Sequence, residues 1–194
     1  MERSPAVISA IAVLASGVVI FAWIEPGPLS MQMAQHVFVM NIAAPLVAAA
    51  LPAREAGRSF LWPAALAQIV LLWAFHAPPA QHSAAASHAV HLLMLGALTG
   101  AAILFWAAVL AATARHRWGP ILALLATGKL ACLLGALLIF APNTLYRLST
   151  IEDQQLAGLL MVSACPLSYL VAGVVLAARA LARLEKTAPP QVAR

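Results

Sequence analysis

Long apolar stretches, with charge confined to their ends, limit this chain more than any other feature. Six of them follow one another: residues 6–24, 30–51, 60–76, 87–112, 121–141 and 153–184. A membrane-spanning helix needs about 20 apolar residues. A spanning segment must also satisfy every backbone polar group internally, which a helix does. The expected fold is therefore an all-α, polytopic membrane helical bundle of about six transmembrane helices. Residues 1–186 form its single domain and 187–194 a disordered tail. Only 9% of the residues are charged and 63% are hydrophobic, against roughly 25% charged in soluble domains. The first segment is read as a retained helix rather than a signal peptide, since Glu25-Pro26 follows without a small-x-small cleavage site.

The net charge of +5 does not point to nucleic acid. Arg and Lys cluster in alternate connections: Arg3, then Arg54 and Arg58, then Arg115 and Arg117, then Arg179, Arg183 and Lys186. Arg147 stands alone in the connection before the last segment. By the positive-inside rule both termini are cytoplasmic, and the connections after the first, third and fifth segments face outward. The cysteines, Cys132 and Cys165, form no metal-binding or redox motif. There is no nucleophile elbow, phosphate loop or HExxH, and Glu152 and Asp153 project about 100° apart on a helix. The chain is not expected to be an enzyme.

On that topology the histidines fall to one side. His36 lies in the second segment, His76 closes the third, His82 is in the loop expected over Ala80–Ala86, and His88 and His91 open the fourth. Only His116 is cytoplasmic. Met33, His36 and Met40 share a helix face, and Met94 extends the His88/His91 stripe. In the last segment Met161 lies about 12 Å below Asp153, with Cys165 a turn deeper. Imidazole, thioether and thiolate suit copper, Cu(I) above all. The candidate metal ligands are His36, His76, His91, His88, Met40, Met161 and Cys165. Asp153 is a candidate to orient a ligating imidazole from behind.

Each has a plainer reading. Methionines in membrane helices pack, cysteines act as small hydrophobes, and histidines at helix ends are interfacial; His82 and His116 are read that way. His36 stands apart, because a buried polar residue in lipid is costly. Lys129 is expected to snorkel. A pair such as His36 and His91 could instead bind a b-type haem. With Pro45 and Lys129 in play, a small metal transporter is a further alternative.

The segment Ile151-Glu152-Asp153-Gln154-Gln155-Leu156-Ala157-Gly158-Leu159-Leu160-Met161 resembles the L-E-D-Q-Q-x-x-G-x-x-M signature of the CtaG family, which assists assembly of caa-type cytochrome c oxidase. Gln35-His36 with Met40 and Ala44-Pro45 is similar to its Q-H-x-x-x-M…A-P segment. Trp73 with His76 and Pro78 resembles W-x-x-H-x-P, His91 with Phe105-Trp106 the fourth-segment pattern, and Leu134-Gly135-Ala136-Leu137 before Tyr146 its L-G-A-L…Y. Gln32, Ser87 and Val162 depart from the family pattern. The resemblance implies an oxidase assembly factor in the bacterial inner membrane. It would bind or deliver copper at the external face, with oxidase subunits or copper-delivery proteins as partners. Lipid surrounds it, and it is a possible homo-oligomer.

Overall fold

Proline and glycine set the limits of most helices in the computed structural model, which describes residues 27–51, 60–112, 118–147 and 149–187. The expected first helix, the loops carrying Arg54, Arg58, Arg115, Arg117 and His116, and residues 188–194 of the expected tail lie outside the described residues.

Helix α1 (Pro28–Phe38) starts with proline at its first position, where a missing N–H costs nothing. It runs into a π-helical turn (Val39–Ala43) and then α2 (Ala44–Ala50). Pro45 explains the turn. Its ring would collide with the carbonyl four residues back, and the wider π turn, with Ala44 N–H bonded to Val39 O, relieves this. Helix α3 (Leu61–His76) stops before Pro78-Pro79. The stretch expected as a loop is instead a helix, α4 (Pro78–Ala86), bent 71° from α3. Alanine is the best helix former, and the two prolines sit at the helix start, so small residues here extend a helix rather than end one.

Helices α5 (His88–Ala112) and α6 (Gly119–Phe140) are long and uninterrupted. The last expected helix is broken into α7 (Ile151–Ser163) and α8 (Leu167–Thr187) around Ala164-Cys165-Pro166. Among the described residues four candidate spans result, Pro28–Ala50, His88–Ala112, Gly119–Phe140 and Ile151–Leu184. The bent α3–α4 pair is a fifth if it counts as one span. No strand occurs among the described residues.

The bundle is apolar outside as well as inside. Among the described residues, Leu92, Leu93 and Phe140 are exposed, the last to 82%. Such a surface suits lipid, not water. Inside, Phe105, Trp106 and Tyr169 stack against one another beneath Met40. α6 and α7 meet most closely where Gly135 and Gly158 face each other, backbone against backbone.

Candidate metal centre

Two capped helix starts and one helix end meet at the same end of the bundle. The Asp153 carboxylate, in the first turn of α7, accepts hydrogen bonds from Leu29 N (3.0 Å), Ser30 N (3.0 Å) and Ser30 Oγ (2.5 Å). It satisfies the orphan N–H groups of α1 and complements that helix's dipole. Gly27 is required there, since a Cβ would overlap the carboxyl group. Thr150 Oγ1 caps α7 itself by accepting from Asp153 N. α1 and α7 therefore start together and run side by side.

Gln154 fastens the connection between α6 and α7. Its Oε1 accepts from Leu145 N at 2.6 Å and its Nε2 donates to Leu138 O at 3.2 Å. The connection presents Tyr146, whose buried hydroxyl donates to His76 O at 2.7 Å. Burial pushes the Tyr146 phenol up to about 12, which keeps it a donor.

These supports hold a small buried cluster. His36 on α1 and His76 on α3 are 5% and 3% exposed, with ring centroids 5.5 Å apart in an edge-on arrangement. His76 Nδ1 lies 2.6 Å from Leu72 O, and its Nε2 lies 3.1 Å from the Met33 sulfur. A carbonyl only accepts, so Nδ1 carries the proton. In the neutral ring Nε2 then aims a lone pair at a thioether that has no proton to give. Among the described residues, the buried His36 Nδ1 has no hydrogen-bond partner. Unpaired polar atoms are costly in such a place, and imidazole nitrogens facing a thioether form a soft donor set.

The other expected ligands are placed differently. His91 is half-buried on α5 and within electrostatic range of His36. It lines a cavity of about 190 Å³ at this end, together with Gln32, Gln81, His82, Tyr146 and Arg147. His88 is exposed on the surface of α5. Met40 is buried a turn below His36, its carbonyl bonded to Trp106 Nε1 at 3.0 Å. Met161 packs into the α6–α7 seam beside Gly135, and Cys165 is buried in the break beside Asn41. Asp153 does not orient an imidazole as expected, because its oxygens are taken by the first turn of α1. Lys129 is exposed on α6 and stands outside the cluster. Among the described residues, no three His, Cys, Asp or Glu side chains converge on a common point that could hold a metal ion. Any metal here must rest on fewer imidazoles plus thioether.

Met33 is not among the ligands expected from the sequence, although its spacing three residues before His36 puts it on the same helix face. The roles of Tyr146 and Gln154 carry no such signal, because they act through backbone carbonyls and amides distant in sequence.

An all-helical membrane bundle with its buried imidazoles gathered at one end is the class these features define. The chain belongs to the cytochrome c oxidase caa3 assembly factor family (Caa3_CtaG), whose model matches residues 6–183. No curated protein and no solved structure matches it.

Proposed function

We propose that this protein is an inner-membrane assembly factor that holds Cu(I) as cargo at His36, His76 and Met33 and passes it to cytochrome c oxidase. The family supplies the oxidase. The cargo is read from one observation: His76 Nε2 and the Met33 sulfur approach to 3.1 Å with no proton available to lie between them. A soft monovalent cation resolves that contact, and Cu(I) is the ion that imidazole and thioether favour. The unpartnered Nδ1 of His36 supplies a further lone pair. The recipient is a copper-containing oxidase subunit, the donor a copper-delivery protein, and the cluster faces the external side. The protein transfers an ion and catalyses no bond change in a substrate.

The test is metal analysis of the purified full-length protein after Cu(I) loading. Wild type is expected to retain copper through desalting and His36→Ala to lose it. Copper at background level in both, or equal copper in both, would overturn the assignment.

A further inference from the structure

A cluster this deeply buried needs a way in, and close-packed helices offer few. A cavity at the capped end of the bundle lies beside it, one turn of α1 away. Gln32 forms part of its wall and lies one turn before His36 on α1. Among the described residues the buried Gln32 Nε2 has no hydrogen-bond partner, so this wall presents an amide with a donor to spare. His91 lines the same cavity and is within electrostatic range of His36. His82, on α4, and Arg147, on the α6–α7 connection, are exposed at its rim.

The charge of that rim narrows the ligand. Among the described residues that line the cavity there is a guanidinium, two imidazoles and no carboxylate. A carboxylate-free, Arg-bearing mouth repels a bare cation and accepts one that arrives with anionic ligands. We infer that the cavity is an access vestibule, in which His82 and His91 take Cu(I) from an anionic complex and relay it past Gln32 to His36. This rests on the copper reading above. Each handover is ligand exchange. A nitrogen–copper bond forms as the previous ligand–copper bond breaks, copper stays Cu(I), and the anionic ligand leaves with the charge it brought.

Stopped-flow loading of the full-length protein tests it, with Cu(I) presented by a coloured anionic chelator and, separately, by a neutral one. In the His82→Ala/His91→Ala double variant, and in Ala85→Trp, which fills the mouth, loading is expected to slow roughly tenfold or more while the final copper content stays at the wild-type level. Arg147→Glu is expected to slow loading from the anionic chelator and not from the neutral one. Melting curves in the same detergent establish that each variant is folded. Wild-type loading rates in the double variant and in Ala85→Trp overturn the vestibule and leave the copper reading in place. A matching fall in final copper content makes His82 and His91 resting ligands and also overturns it. A wild type that takes up no copper removes both.

Discussion

The two ring nitrogens of His76 are committed in opposite directions, one to a carbonyl of its own helix and one to the Met33 sulfur. What holds the ring's backbone in place is Tyr146, from a connection seventy residues further along the chain. That bond has a pH signature. Because the folded pKa of the phenol is raised from 10.0 to about 12, the contribution is whole below pH 10 and is lost as pH rises through about 12. Tyr146→Phe is therefore expected to lower stability by about 1 kcal/mol at neutral pH. The gap from wild type should close in strongly alkaline solution, as followed by thermal unfolding in detergent. A gap unchanged at high pH would mean that the stabilisation does not depend on the phenol staying protonated against His76 O. At this scale the sequence reading located His36 and His76, because a histidine in an apolar helix is conspicuous. It misjudged Asp153, because a carboxylate capping another helix looks the same in sequence as one behind an imidazole.

The helices were legible wherever length and hydropathy decide. They were less so where backbone chemistry does. The bend between α3 and α4 and the break before α8 both lie at prolines, yet proline alone does not say whether a chain turns, kinks or restarts. The α6–α7 seam was visible only as two glycines in matched motifs. In the structure, a Cβ on Gly158 would lie 2.6 Å from Gly135 O and 2.8 Å from Ile139 Cγ1. Backbone on both sides cannot yield cheaply, so Gly158→Ala is expected to cost about 1–3 kcal/mol. Gly96→Ala on α5, with nothing among the described residues within 4 Å of the new methyl group, is the control and should be neutral or slightly stabilising. Equal melting temperatures for the two variants would show that the seam is looser than described.

For the molecule as a whole, lipid-facing leucines and a one-sided polar end amount to an oriented object. By the positive-inside rule the alternation of Arg and Lys predicts that the capped end faces outward, a direction that the helix packing itself does not encode. A single cysteine at His82, with the two native cysteines changed to serine, is expected to react with a membrane-impermeant maleimide in intact spheroplasts. Reaction only after permeabilisation would invert the topology and place the vestibule on the cytoplasmic side. The gathering of the starts of α1 and α5 and the α6–α7 connection around one cavity was foreseeable from this alternation. The order of contacts inside it was not, since it depends on side chains from α1, α3 and the α6–α7 connection meeting across the bundle.

The segment from α1 into the π turn is tied twice to the segment from α7 into α8, first by Ser30 on α1 to Asp153 on α7 and again by Asn41 in the π turn to Ser168 on α8. The ties are eleven residues apart along one strand of the bundle and fifteen along the other, or about 16 Å against about 22 Å at helical rise. Two straight rods lying parallel would miss one of the ties by about 6 Å. The second tie is made from within the π turn itself, and the Ala164–Pro166 break falls between the two ties on the other segment, where the mismatch is taken up. The pair thus works as a vernier: sliding either helix by one residue would unfasten one end or the other, and the depth of His36 below the capped end is fixed by that register.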